Sequence, residues 1–289
     1  MTTASTSMAG VRLRRLQSNP YLLFGLTIMV ALMLFGFVGP LLVTPEDSNV
    51  GAYVPKLPPN QENWLGTDTQ GRDVFTTLVL ATPRTLIIGL VAGALGVGVG
   101  IILGVSSGFL GGPIDTTVRI VADVFMTIPA IAILIVVATN VRSMTVMLMA
   151  VIIAMLAWRL PTRAIRSQTL SLRERAYIQI AKLNGVGELE IIVKEVLPNL
   201  FPYIAATFVA TVSWAILATV GLEALGLGPQ NELTLGMMLY WAQFYGAILR
   251  GFWWWWVPPI VVIVLIFVGL FFTSAGMDQL VNTRLRSVA

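Results

Sequence analysis

The sequence has no cysteine and no histidine, and only 11% of its 289 residues are charged. Without cysteine there is no disulfide scaffold, no thiol nucleophile and no thiolate metal site. Without imidazole, zinc proteolysis from a His-Glu-x-x-His helix, haem ligation by histidine and intramembrane Ser-His hydrolysis are excluded. No Gly-Lys pair occurs anywhere, so a phosphate-cradling P-loop is absent as well. A soluble domain carries about 25% charged residues. Here 56% of residues are apolar and polar side chains are too few to coat a globule. The chain reads as an all-α integral membrane protein. Its net charge is +4 at pH 7, but charges are so sparse that their positions say more than their sum.

A bilayer-crossing helix needs about 20 mostly apolar residues. Six uncharged stretches meet or approach this: Tyr21–Val43, Thr85–Ile114, Val124–Val141, Ser143–Trp158, Leu197–Leu222 and Gly251–Met277. Six spans with both termini cytoplasmic satisfy the positive-inside rule. The inside segments then hold Arg12, Arg14, Arg15, Arg159, Arg163, Arg166, Arg173, Arg175, Lys182, Lys194, Arg284 and Arg286. The outside ones hold Lys56, Arg72, Arg84, Arg142 and Arg250. Counting Leu233–Leu249 as a span would reverse the tail, so it reads as a re-entrant or interfacial element. The 23-residue first run is too long for a secretory signal core and reads as an uncleaved anchor. The expected organisation is a cytoplasmic segment 1–20, a first transmembrane helix 21–43, an extracytoplasmic loop 44–84 and a core domain 85–289. That core contains a charged cytoplasmic loop, 159–198. Gly96, Gly100, Gly104, Gly108 and Gly112 recur every fourth residue, a smooth stripe that lets another helix approach closely, whether of this chain or of another subunit.

Four regions exceed what spanning requires. In the outside loop, Gly66 and Gly71 permit tight turns, and Asp68, Arg72 and Asp73 can pair with one another or with backbone donors. Either the loop is a self-satisfied cap or it offers a docking surface or outer gate. Asp115, Arg119 and Asp123 share one helix face at i, i+4, i+8 and suggest an ion-pair ladder in which Arg119 neutralises both acids; a proton relay is the alternative. Segment 159–198 reads as helix Arg173–Leu183, a break at Asn184-Gly185-Val186-Gly187, helix Glu188–Val196, and a stop at Leu197-Pro198. Val186, Leu189, Ile192 and Val193 would form its apolar face, giving a lever that a cytosolic partner can push. Finally, Tyr240, Trp241, Phe244, Tyr245, Phe252 and Trp253–Trp256 form an aromatic belt at the outer boundary, one or two of which could stack on a sugar ring.

In this order the features resemble the permease subunits of bacterial ATP-binding-cassette importers, in particular the second permease of the dipeptide/oligopeptide/nickel family. Leu65-Gly-Thr-Asp68 with Gly71-Arg-Asp-Val-Phe75 looks like that family's outside motif. Asp115, Arg119, Asp123 and Pro129 resemble its third-span pattern, and Glu223-Ala-Leu-Gly-Leu-Gly228 its segment after the fifth span. Gln179-Ile180-Ala181 occupies the Glu-Ala-Ala positions of the ATPase-coupling loop, with Asn184, Gly185, Val186, Gly187 and Leu189 following and Leu197-Pro198 closing the motif. Gln179 departs from the acid usual there, Ile180 from a small residue, and the tail Thr273–Arg286 keeps only Asp278 of its acidic pattern.

The resemblance implies a type I importer permease fold in a bacterial inner membrane. It implies half of a translocation pathway shared with a second, similar permease, two cytosolic ATPases that bind ATP and Mg, and an extracytoplasmic solute-binding protein. The chain itself would hold no cofactor or metal, perform no chemistry and contact lipid but no nucleic acid. Its substrate class would be short peptides, with oligosaccharides as the alternative and nickel also served by the family. A secondary transporter would instead show an internal repeat and mid-membrane carboxylates. An intramembrane enzyme would need a Ser-Lys or paired-Asp site.

Overall fold

The computed structural model describes residues 19–281, and within them every regular element is a helix. The amino-terminal arginines and the tail arginines Arg284 and Arg286 therefore lie outside the described residues. Helix α1 (Pro20–Phe37) starts where Asn19 caps it: the side chain accepts from Leu22 N–H at 3.2 Å, and Pro20 takes a position that needs no donor. Asn19 also donates from Nδ2 to Gly276 O at 2.8 Å, tying the start of α1 to the end of the last helix, α11 (Trp253–Val281). A Cβ on Gly276 would sit 2.6 Å from Leu22 Cβ, so the two helices cross almost backbone to backbone.

The longest element is α2 (Val74–Leu110), 37 residues or about 56 Å at 1.5 Å per residue. It begins eleven residues before the expected Thr85, because Asp73 caps it by accepting from Thr76 N–H at 2.7 Å. The charge of Arg84 interrupts the uncharged run there, and Pro83 sits within the helix. The third expected span is two helices, α3 (Gly112–Thr127) and α4 (Ala130–Thr139), bent by 78° at Ile128-Pro129. Proline biases the residue before it to extended backbone, and Ile128 is extended. The fourth, α5 (Val146–Ala157), continues with a 42° bend into α6 (Arg159–Arg173). Among the described residues four helices are long and apolar enough to cross a membrane, and each bent pair adds one more, giving up to six.

After α6 come α7 (Ala176–Leu183), the short α8 (Glu188–Ile191) and α9 (Leu197–Ala224). Two expectations fail here. The helix expected over Arg173–Leu183 breaks at Arg175, which is extended; the turn lets Ile178 reach the core, where it is fully buried. Leu197-Pro198 does not end a helix either. Residues Ile192–Val196 form a π-helical turn, and Pro198 enters α9 in its first turn, where its fixed φ suits the helix start. The element over Leu233–Leu249 is a ten-residue helix, α10 (Leu235–Phe244), too short to span. Thr234 caps it, and Thr85 of α2 accepts from Leu235 N–H at 3.0 Å.

The core has three parts. One joins α1, α2, α9, α10 and α11 around Leu86, Ile216 and Ile266. A second joins α2, α4, α5 and α9 around Ile88, Met149 and Ile153. The third sits under segment 159–198, around Phe109, Ile165, Ile178, Ile191, Val196 and Leu200. Helix α2 runs through all three.

Candidate functional site

The glycine stripe faces the last residue of α5 and then α6 of the same chain. A Cβ on Gly96 would meet Ala157 Cβ at 2.6 Å, on Gly100 Pro161 Cβ at 2.5 Å, on Gly104 Thr162 O at 2.8 Å and on Gly108 Thr169 Cβ at 2.8 Å. Gly112 is different: it lies past the end of α2, and a Cβ there would meet nothing within 4 Å. This seam anchors the charged segment rigidly to the bundle.

Charge pairing fixes its other side. Arg166 on α6 grips Asp115 on α3 through two hydrogen bonds, Nε to Oδ1 and Nη2 to Oδ2, the second at 2.7 Å. Arg163, one turn earlier, lies 3.9 Å from Asp123 with both side chains more than half exposed. The expected ladder within α3 is therefore corrected. Asp115, Arg119 and Asp123 do share a helix, but α6 supplies the counter-ions and Arg119 forms no ion pair among the described residues. Sequence spacing reveals which residues share a face, not which helix lies across from it.

The segment then turns out from the bundle. The break after α7 is a Schellman motif: Gly185 N–H donates to Lys182 O at 3.0 Å and Val186 N–H to Ala181 O at 3.1 Å. Gly185 holds φ +77° in open space, so it is the backbone angle and not packing that demands glycine. Ala181 and Val186 make the accompanying apolar contact against the Phe109 cluster. Gln179 donates from Nε2 to Arg173 O at 2.9 Å, capping the end of α6. An ionised carboxylate could not donate this bond, which explains how an amide serves at that position.

The expected apolar face of α8 divides in two. Val186 and Ile192 pack inward with Ile178, Ile191 and Val196, while Leu189 and Val193 point away. With Ile180 and Leu183 they leave an apolar tip: Leu183 is 86% and Leu189 75% exposed. Gly187 caps α8, and Glu188 and Glu190 occupy its first turn. Pro198 is exposed at the base of α9.

At the opposite end of α2, loop 44–73 is folded against the bundle. Thr67 and Asp73 form an antiparallel bridge. Asp73 also accepts from Asn63 Nδ2 at 3.1 Å. Asp68 accepts from the backbone N–H groups of Gln70 and Arg72 at 2.7 and 2.9 Å. Burial nonetheless pushes the Asp68 carboxyl above the usual carboxylate range, against the opposing pull of these bonds and of the nearby Arg72 charge. Gly66 lies under Trp254, whose Nε1 donates to Thr67 O at 3.3 Å, and Gly71 donates its N–H to Asp68 O. Thus Asp68 and Asp73 turn to backbone and amide donors, and Arg72 pairs with neither. Trp254 and the buried Trp255 serve to pack this loop and the core, so two of the four successive tryptophans are not free platforms.

One feature had no signal in composition or periodicity. Glu223, at the end of α9, is fully buried, with its carboxyl beside Thr234 and Gly236 but without a hydrogen bond of full geometry among the described residues. Gly228 and Gly236 make room for it; a Cβ on Gly228 would come within 2.6 Å of Glu223 Cγ.

The chain is similar to several known proteins. Residues 96–287 match the family described as binding-protein-dependent transport system inner membrane component. The oligopeptide transport system permease protein OppC of Mycobacterium tuberculosis is 31% identical over 63% of this chain and 63% of its own length, so the match spans less than two thirds of that relative. OppC of Bacillus subtilis is 30% identical over 74% of this chain and 70% of its own. The dipeptide transport system permease protein DppC of the same organism is 31% identical over 75% and 68%. An inward-facing structure of the MetNI methionine ABC transporter superposes with a TM-score of 0.55 over 74% of this chain and 96% of that one, at 21% identity. The expected type I importer permease fold is therefore the observed one. With two thirds of its length matched by the family and its helices in that fold, the chain belongs to the binding-protein-dependent transport system inner membrane components.

Proposed function

We propose that this chain is one of two similar permeases in an ATP-driven importer of short peptides, and that it couples the pathway to a cytosolic ATPase through the α7–α8 elbow. The observation that carries the reading is the elbow itself. Its tip, with Ile180, Leu183, Leu189 and Val193, is apolar and exposed. Its base is locked by the α2–α6 seam, the Arg166–Asp115 pair and the buried Ile178, Ile191 and Val196. A rigid handle with an uncovered apolar end is suited to a groove on a moving partner, because a push at the tip is passed to α6 and α2 rather than dissipated in a flexible loop. The arginine excess around this elbow supports a cytoplasmic position for it and an outside position for loop 44–73. Exposed apolar side chains along α3, including Ile120 and Val124, suit contact with lipid and with the second permease. ATP and Mg would be held by the ATPases, and an extracytoplasmic binding protein would deliver the peptide. The peptide assignment rests on the named relatives, which are oligopeptide and dipeptide permeases.

The test uses the reconstituted transporter with its partner subunits. Leu189→Glu places charge at the tip without touching the core. ATP hydrolysis should persist while peptide uptake falls roughly ten-fold or more, the loss expected of a central interface anchor. Normal uptake at normal incorporation would overturn the coupling role. Uptake by the chain alone, without nucleotide or companions, would overturn the importer reading altogether.

A further inference from the structure

Beside loop 44–73 lies a cavity of about 650 Å³, bounded by that loop, the first turns of α2 and the start of α10. Its size falls within the range of small-molecule sites, about 300–1,000 Å³. Four charged side chains line it: Asp68, Arg72, Arg84 and Glu232. Each acid is engaged through one of its oxygens: Asp68 Oδ1 accepts two backbone N–H bonds, and Glu232 Oε1 accepts from Val146 N–H at 3.0 Å. The two cations are not. Neither Arg72 nor Arg84 forms an ion pair among the described residues. Arg72 Nε is buried without any partner, and Arg84 makes only one long bond, 3.4 Å, to Leu233 O. A buried guanidinium donor left unmatched is costly, and planar guanidinium groups match carboxylates through paired hydrogen bonds. The remaining wall is apolar, with Met237, Met238 and Trp241.

We infer that this cavity is a carboxylate site, in which Arg72 and Arg84 receive the carboxy-terminal group of a short peptide while its last side chain lies against Met237, Met238 and Trp241. Free donors in excess of free acceptors select an anion over a cation. The adjoining apolar wall selects an amino-acid residue over a bare inorganic anion. The cavity opens on the face that the proposed function places outside, so it would be met by a peptide on its way into the pathway. The choice of a peptide as the source of the carboxylate rests on that proposed function; the anion preference does not.

The test is arginine modification by phenylglyoxal in the assembled transporter, mapped by mass spectrometry, with Arg142, exposed and outside the cavity, as the internal control. Millimolar trialanine should slow modification of Arg72 and Arg84 roughly ten-fold relative to Arg142, as charged hydrogen bonds to a carboxylate imply. Trialanine amide should not. Equal protection by the amide, or none by the free acid, overturns the inference. Protection by the ligand-free binding protein alone, equal to that by the peptide, overturns the peptide as source and assigns the carboxylate to a docked protein. In the variant Arg84→Gln, trialanine protection of Arg72 should weaken, and unchanged protection would count against a paired site. ATP-driven uptake measured on the same preparation separates the two conclusions: uptake without protection removes the site and leaves the importer, whereas protection without uptake does the reverse.

Discussion

Gly100→Leu is the sharpest test of how the charged segment is held. Even a single carbon at Gly100 would stand 2.5 Å from Pro161 Cβ and 3.1 Å from Thr162 N, and both belong to the rigid start of α6. Neither neighbour is the far end of a flexible side chain, so α6 itself must move. Overpacking of this kind costs about 1–3 kcal/mol, and occasionally more. Leucine recovers up to about 0.8 kcal/mol through its better helix propensity. The net loss is therefore up to about 2 kcal/mol. At roughly 2–4 °C per kcal/mol for a chain of this size, the midpoint should fall by up to about 4–8 °C. Gly98, two residues away in the same helix, supplies the control. Nothing lies within 4 Å of its added Cβ, so Gly98→Leu gains propensity without collision. Thermal unfolding of the purified chain in detergent should show Gly98→Leu at or slightly above the parent and Gly100→Leu clearly below it. Equal midpoints for the two variants would refute the seam, and with it the idea that the elbow is stiffly mounted.

Further outcomes follow from the same contacts. Asp115→Asn should destabilise by about 1.5–3 kcal/mol, since it removes a charged partner from the half-buried Arg166; denaturant titration of the chain would show it, and Asp123→Asn, at an exposed 3.9 Å pair, should change little. Asp73→Ala removes the cap of α2 and a partner of Asn63, at about 0.5–2 kcal/mol, and should speed proteolysis of loop 44–73 before any loss of the bundle. Gly185→Val forces a β-branched residue to φ +77° at a cost of about 1–2 kcal/mol, visible as faster amide exchange in α7 and α8 with little effect on α2. The pH dependence of the loop has a defined sign. Burial raises the Asp68 carboxyl in the folded state, so the native loop binds this proton more tightly than the unfolded chain. Loop stability should therefore decline as pH rises from the ordinary aspartate value through the raised one, and Asp68→Asn should flatten that slope in limited proteolysis at graded pH.

Much of this molecule was legible in one dimension because its causes are local. Long apolar runs report a membrane solvent, and these runs became the spanning helices. Glycine at every fourth residue reports a groove, and Asn184-Gly185-Val186 reports a left-handed helix end, because only glycine tolerates that angle cheaply. Boundaries were misplaced where a cap or a proline acts through geometry. Asp73 starts α2 inside a polar stretch, and Pro198 is absorbed by a π-turn instead of stopping the chain.

Composition and spacing by themselves determined that the chain is helical, lies in a membrane and carries a charged elbow between two of its spans. Tertiary structure alone decided that the glycine groove receives α6, that Arg166 rather than Arg119 answers Asp115, that Glu223 is fully buried, and that Arg72 and Arg84 line one cavity. The division has a simple physical origin. Solvent preference and backbone angle are properties of a residue and its immediate neighbours, whereas a counter-ion or a cavity wall is a property of whatever distant segment packing brings within reach.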